Sequence, residues 1–458
     1  MRTGGGARWI LVVGLCMAGL EACGGNPSKG GTGGGTATGG AAVAGAPGMA
    51  APGAGGAAGT AGPVGGAAGS CGAEGQACCA GGTCADSSLS CLGIGCGCAV
   101  ACASTPVSAG STDDLFVTRQ DGTVWYYAPV YGVLAAPTLA LPFSTLSFAA
   151  SGPGTYCGVK NDNTVWCEAS AGSWGELGNG TDSPSATPVQ VVTAPGGPPL
   201  TNITKVFASN GSTLPTFCAI DTSQVLWCWG SGVDGVLGNG STTESNVAAP
   251  VLASQGGPPF APVAQVSIGM YSACAVKTDH TLWCWGGNNG DQLGIGSNEL
   301  QSLYPVQVGS LSSLVMNVSV FDTAACAVRS DGTVWCWGSA AYGQLGTEAS
   351  SNGFADSPVQ ILTTAGGSPL SNVKSVNVME YSACAVKTDS SLWCWGAGLG
   401  GAHSLLPALW SENGNAVTGV VSLGTGTICP CFITSDASVH TDGSSGGTQP
   451  LSTPISCE

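Results

Sequence analysis

The chain has 458 residues with 26 acidic against 10 basic side chains, a formal net charge of −16, so it offers no basic face for neutralising phosphates and nucleic-acid binding is excluded. Only 8% of residues are charged and 76 are glycine. Its 23 cysteines fit an oxidising compartment and would be hard to explain in a cytosolic protein.

Arg2 and Arg8 precede an apolar run, Trp9 to Leu20, that is too short to span a bilayer and has the form of a signal peptide over residues 1–22. The run ends Leu20-Glu21-Ala22-Cys23-Gly24, which resembles a bacterial lipoprotein cleavage box. That resemblance implies lipidation of Cys23 and display on an outer membrane or cell surface. Glu21 departs from the small residue usual there, which leaves ordinary cleavage and secretion as the alternative. Residues 23–70 are almost entirely Gly, Ala, Thr and Pro, with Lys29 the one charge. Such a stretch cannot bury enough apolar surface to order itself. It reads as a disordered tether with a span of roughly 35–40 Å.

Residues 71–104 hold cysteines at 71, 78, 79, 84, 91, 96, 98 and 102. The spacing is similar to that of small knottin-like disulfide modules. Eight cysteines allow 105 pairings, so connectivity stays open. A metal–thiolate cluster is the competing account, disfavoured by an oxidising compartment.

From residue 110 to 458 one motif recurs. Cys274 to Gly286 reads CAVKTDHTLWCWG, with close copies at Cys218–Gly230, Cys326–Gly338 and Cys384–Gly396 and a looser one at Cys157–Cys167. Each copy is two β-prone runs about a turn such as Asp331-Gly332, the pattern of a hairpin. Folding about the midpoint sets the two cysteines opposite each other, roughly 4.5–5.5 Å apart at Cα, within reach of a disulfide. The expected bridges are Cys157–Cys167, Cys218–Cys228, Cys274–Cys284, Cys326–Cys336 and Cys384–Cys394. Zinc is the weaker alternative, because this spacing without clustered histidines is poor ligand geometry. Degenerate copies at Phe116–Tyr127 and Cys431–Thr441 bring the series to seven units. Alternation along Trp227-Cys228-Trp229 makes both faces of each hairpin apolar, which requires cover on two sides, as stacked propeller blades provide.

Runs such as Gly175-Glu176-Leu177-Gly178 and Gly343-Gln344-Leu345-Gly346 follow the hairpins, and then Pro-Val-Gln-Val at 188–191 and 305–308. This order resembles the repeat of the regulator-of-chromosome-condensation family, which implies an all-β, seven-bladed propeller. The chain departs from that pattern in its cysteine pairs, in Tyr271 and Tyr381 where a histidine is usual, and in a sixth unit without the Gly-Gln-Leu-Gly turn. The family's known role as an exchange factor for a nuclear GTPase does not transfer to an exported acidic chain.

Catalytic constellations are scarce. His280 lies in a hairpin turn, and His403 and His440 have no nucleophile motif beside them. A sialidase would need three arginines, whereas only Arg119 and Arg329 follow the signal peptide. Asp121, Asp162, Asp279, Asp331, Asp389 and Asp436 recur at hairpin tips, where Asp caps its own backbone. Asn288, Asn289 and Asp291 lack the alternating carboxylates of a calcium loop. Cys457 is expected to pair with Cys429 or Cys431, leaving one thiol over. No cofactor, metal or catalytic residue is expected.

What remains is binding. Trp174, Met270, Tyr271, Tyr304, Tyr342, Phe354, Tyr381 and Trp410 lie in inter-strand loops as candidate anchors for a protein or glycan. The alternative for several of them is that they plug gaps between blades. The expected function is a non-catalytic, cell-surface or secreted binding module for a protein partner, touching a membrane only through its anchor. The competing function is a lectin or carbohydrate-active enzyme using acidic residues at the propeller mouth.

Overall fold

The computed structural model describes residues 90–92, 95–97, 115–118, 122–127, 129–130, 133–134, 138–139, 141–150, 155–170, 172–210, 214–297, 299–311, 314–347, 353–397, 404–412, 415–424, 431–435 and 439–441. The segment expected to be a signal peptide with Cys23, the expected tether and most of the expected 71–104 module lie outside these residues, as do Cys429 and Cys457. Of that module the structure describes one strand pair, Ser90–Leu92 with Gly95–Gly97, in which Cys91 faces Cys96. Contacts divide the chain at residue 66, and the fold below belongs to the second unit, Ala67–Glu458.

Seven successive antiparallel sheets make up a seven-bladed β-propeller. Blade 1 pairs Leu115–Thr118, Val124–Tyr127 and Thr138–Leu139. Blade 2 runs Thr145–Ala150, Thr155–Lys160, Val165–Ala169 and Ser185–Gln190. Blade 3 runs Ile203–Ala208, Thr216–Asp221, Leu226–Gly230 and Ser245–Pro250. Blade 4 runs Val263–Ile268, Ser272–Lys277, Leu282–Gly287 and Gln301–Gln307. Blade 5 runs Val315–Phe321, Ala324–Arg329, Val334–Ser339 and Phe354–Gln360. Blade 6 runs Val373–Val378, Ser382–Lys387, Leu392–Gly396 and Ser404–Leu409. Blade 7 pairs Val420–Gly424, Cys431–Thr434 and Val439–Thr441.

In blades 2 to 6 the second and third strands carry the cysteines in direct register. All five pairs are disulfides, with Cα atoms 4.0–4.1 Å apart, closer than the 4.5 Å lower bound taken from facing strand residues. In blade 1 Phe116 faces Tyr126 at the same register, and in blade 7 Cys431 faces Thr441.

The bridges face one seam and the indoles the other. Cys218 and Cys228 of blade 3 pack with Ala273 and Trp285 of blade 4, and Cys274 and Cys284 pack with Trp337 of blade 5. Each buried indole then reaches back across its seam. Trp229 donates to the carbonyl of Glu176 (3.0 Å), Trp285 to Val236 (2.8 Å), Trp337 to Gln292 (2.8 Å) and Trp395 to Gln344 (2.9 Å). Those carbonyls belong to the x-Leu-Gly turns, Gly-x-Leu-Gly in blades 2, 3 and 5 and Asp291-Gln292-Leu293-Gly294 in blade 4. The last glycine of each run has φ between +60° and +65°, and at Gly294 a Cβ would fall 2.6 Å from the Trp337 indole. A residue with a side chain would be strained there and would also collide with the ring.

The innermost strands are tied through side chains. Ser147 Oγ accepts the Val206 N–H (3.1 Å), Ser267 Oγ that of Val320 (2.9 Å) and Ser319 Oγ that of Val378 (2.9 Å). Asn377 Nδ2 donates to the Gly424 carbonyl (2.9 Å). Edge groups that would otherwise lack ladder partners are thereby satisfied.

Candidate functional site

The propeller has two chemically distinct ends. One carries the hairpin tips between second and third strands. There Asp162 Oδ1 accepts the backbone N–H (3.0 Å) and hydroxyl (2.6 Å) of Thr164, whose Oγ1 accepts the Trp166 indole N–H (3.0 Å). The relay repeats at Asp279–Thr281–Trp283, Asp331–Thr333–Trp335 and Asp389–Ser391–Trp393. In blade 3 Asp221 takes over both tasks, capping Ser223 and Val225 and accepting the Trp227 N–H. Lys160, Lys277 and Lys387 lie over the rings of Trp166, Trp283 and Trp393 at 4.9, 5.7 and 5.1 Å, and Arg329 pairs with Asp331 at 3.6 Å. The Thr or Ser hydroxyl holds the Asp162, Asp279, Asp331 and Asp389 carboxyls below the usual carboxylate range. These acids form closed turn networks; Asp121 and Asp436 lie outside the described residues. His280 is an exposed turn residue at φ +65° whose Nδ1 is 3.3 Å from the Val315 carbonyl. His403 and the His440 side chain lie outside the described residues.

The other end is built by the loops from first to second strand and from third to fourth. Tyr271, Asp322 and the pair Glu380-Tyr381 occupy equivalent first loops of blades 4, 5 and 6. Each loop is pinned by the far end of its own third strand: Gly287 N donates to the Tyr271 carbonyl, Ser339 N to Thr323 and Ala397 N to Tyr381, all at 2.8 Å. Tyr342 enters from the second loop of blade 5, where Gln344 Oε1 accepts its backbone N–H (2.8 Å). The Tyr342 and Tyr381 rings meet edge to face, 4.6 Å between centroids at 69°.

Charge concentrates here. Burial, and then the nearby Glu380 carboxylate, pushes the Asp322 carboxyl above its ordinary value. Its Oδ1 is buried without a hydrogen-bond partner. Burial, followed by Asp322 and Asp234, pushes the Tyr271 phenol up. A hydrogen bond to Glu380, then burial and the surrounding negative groups, pushes Tyr381 up to about 12. Four blades, 3 to 6, therefore bring carboxylates and phenols together with no cation between them among the described residues. Nor do three His, Cys, Asp or Glu side chains converge as a metal-ligand set among those residues.

The candidate anchors divide by position. Tyr271, Tyr342 and Tyr381 belong to this cluster, with Met270 half-buried beside Tyr271. Phe354 is 60% exposed at the loop end of the outermost strand of blade 5, and Trp174 is exposed in the corresponding loop of blade 2. Tyr304 lies in the outermost strand of blade 4 and packs against Gly240 of blade 3. Trp410 does not reach this face: it follows the fourth strand of blade 6 at the opposite end and packs against the core cluster holding Val417, Val420 and Phe432. It fills the seam of blades 6 and 7. Reading the chain for aromatics alone passed over Asp234, Asp322 and Glu380. For Asp322 and Glu380 the signal was register, since they occupy in blades 5 and 6 the position that Met270 holds in blade 4.

Two family models, both described as Regulator of chromosome condensation (RCC1) repeat, match residues 263–292 with 322–344, and 279–327. The chain is 27% identical over 263 residues to the human E3 ubiquitin-protein ligase HERC2, covering 55% of this chain and 5% of that protein. It is 26% identical over 214 residues to the ultraviolet-B receptor UVR8 of Arabidopsis thaliana, 46% of each. The chain thus spans less than half the length of these curated relatives. Among solved structures, human WBSCR16 superposes with a TM-score of 0.56 at 18% identity, covering 70% of this chain and 84% of that one. Yeast RCC1 (Prp20), solved bound to Kap60, gives 0.56 at 15%, covering 70% and 77%. At these identities the structures share the fold.

Proposed function

We propose, for a chain whose repeats belong to the RCC1-like repeat family, that it is a non-catalytic binding module presenting the loop end of its propeller to a protein partner from the cell surface or a secreted position. One observation carries this reading. The hairpin tips are internally satisfied, Asp, Thr or Ser, and Trp each occupied with the next, while the loop end leaves Tyr342 50% exposed in the cluster of carboxylates with no counter-ion among the described residues, and Phe354 60% exposed on the same blade. Large aromatics on rigidly pinned loops are the usual energetic centre of a protein interface. RCC1-like propellers mediate protein interactions in other settings, as the yeast propeller solved bound to Kap60 illustrates. Export rests on the sequence of residues 1–23, and Cys23 as the anchor belongs to the same proposal.

The test places a photo-crosslinking residue at Tyr342 or at Asp162 of the full chain and exposes each to envelope extract, with a glycan array in parallel. Protein adducts at position 342 and none at 162 are expected. Selective glycan capture without a protein adduct overturns the reading in favour of a lectin. Metabolic labelling with palmitate, lost in Cys23→Ala, tests the anchor separately.

A further inference from the structure

The two ends differ in charge as well as in occupancy. Every Lys and Arg among the described residues lies in the hairpin half of its blade: Lys160, Lys205, Lys277, Arg329, Lys374 and Lys387. The opposite loops carry Asp182, Asp234, Asp291, Asp322 and Glu380 with no described cation among them. Asp291 repeats the pattern seen at Asp322, its carboxyl raised by burial and then by Asp356.

The floor beneath these loops is unsatisfied too. Ser272 and Ser382 directly follow Tyr271 and Tyr381, are 0% exposed, and have hydroxyls without a hydrogen-bond partner. Ser272 shares its strand face with Cys274, so it is turned toward the blade 4–blade 5 seam. The Asp322 loop caps that seam: a Cβ on Gly269 would lie 3.2 Å from the Asp322 nitrogen and 3.4 Å from the Ser272 carbonyl. Buried oxygens without donors are costly, and a donor-rich cation removes that cost. The phenol rings alongside provide π faces of the kind that hold ammonium and guanidinium groups.

We propose that the loop end captures a Lys/Arg-rich segment of a partner protein, its cations taken by Asp322 and Glu380 and its side-chain stems laid against Tyr271, Tyr342 and Tyr381. This rests on the protein-binding reading above and adds the chemistry of the partner. Unpaired acids on one end also steer such a segment to that end before contact. A small metal ion is a poorer occupant, because the described carboxylates do not converge as a ligand set.

The probe is a labelled fifteen-residue peptide of alternating Lys or Arg with Gly or Ser, beside the same peptide with Gln at every basic position. Both are titrated by anisotropy into the full chain. Asp322→Asn/Glu380→Gln is compared with Asp279→Asn/Asp389→Asn, which removes equal charge from the other end and keeps side chains that cap turns. The basic peptide is expected to bind about tenfold or more weakly to the first variant and within about twofold of the parent to the second, with the contrast shrinking as salt is raised. Equal losses in both variants, no loss in either, or equal binding of the Gln peptide would each overturn the proposal. Thermal melts of both variants confirm folding. If position 342 crosslinks a protein while the basic peptide ignores Asp322 and Glu380, the basic partner is wrong and the binding reading stands. If neither occurs, both fall.

Discussion

At the scale of single residues, carboxyls of the same intrinsic chemistry are driven in opposite directions by their surroundings. Asp322 is held above its ordinary value by burial and Glu380, so ionised Asp322 costs stability at neutral pH. That cost fades as pH falls through the folded-state value and is gone below the unfolded one. Asp322→Asn is therefore expected to raise the neutral-pH melting temperature, with the gain vanishing on acidification. Asp279 is held low by the Thr281 hydroxyl and N–H, so its contribution is present above the unfolded value and is lost as pH falls through the folded one. Asp279→Ala should lower the neutral-pH melting temperature and converge with the parent in acid. Parallel pH series of melts on the two variants check both signs. Tyr381 offers a direct probe. Its phenol, pushed up to about 12 first by the hydrogen bond to Glu380, should ionise at distinctly lower pH in Glu380→Gln. Ultraviolet difference titration reads this as one tyrosine moving out of the most alkaline step; an unchanged curve would sink the assignment.

Between elements, the turn of one blade and the indole of the next act as a single joint. Blade 1 loses the final glycine of the run, reading Gly132-Val133-Leu134-Ala135, and blade 6 has a shortened one, Ala397-Gly398-Leu399-Gly400, whereas blade 4 keeps Gln292-Leu293-Gly294 behind Asp291. The blades that follow blades 1 and 6 carry no Trp at the indole position, with Glu168 after Cys167 in blade 2 and Asp442 after Thr441 in blade 7; blade 1, with Tyr127 after Tyr126, has none either. The joint predicts non-additive energetics. Gly294→Ala forces an L-residue to φ +65° and into the Trp337 ring, at a cost of about 2 kcal/mol or more. Trp337→Phe leaves the Gln292 carbonyl without its donor and a partial void, about 2–3 kcal/mol. Since the smaller ring relieves the clash, the double variant should cost less than the sum by about 1 kcal/mol in urea unfolding. These joints were only half legible in the sequence. The hairpins were readable because alternation and the nine-residue spacing both act within one segment. The indole-to-turn bond joins residues some fifty positions apart, as Trp285 to Val236 at a separation of 49, and no local pattern announces it. Trp410 misled for the same reason: its loop position suggested exposure, while the contacts that bury it come from Val420 and Phe432 in the next blade.

At the scale of the whole molecule, the five disulfides among the described residues lie within blades and none of them crosses a seam, so chain closure and blade stacking are separate sources of stability. Each closes a short loop and in the chain-entropy account contributes roughly 3 kcal/mol, less where the hairpin forms early in the unfolded chain. Their sulfurs nevertheless sit inside the seams, with the ten cysteines at most 2% exposed and packed on the neighbouring blade's indole or apolar strand residues. A thiolate reductant must approach a sulfur to attack it, and the seam admits one only after the blades part. Reduction in native buffer is therefore expected to track unfolding: the five bridges lost together, at a rate that rises with denaturant and hardly with added thiol once thiol is in excess. Cys326→Ala/Cys336→Ala, which removes one bridge and two sulfurs from a single seam, should melt earlier, by about 2–3 kcal/mol or more, yet keep the basic-peptide affinity of the loop end. Time-resolved alkylation with mass mapping distinguishes the outcomes. Stepwise loss of single bridges under native conditions would mean that blades open one at a time, and the loops that hold Tyr271, Tyr342 and Tyr381 against Asp322 could not then be a rigid face.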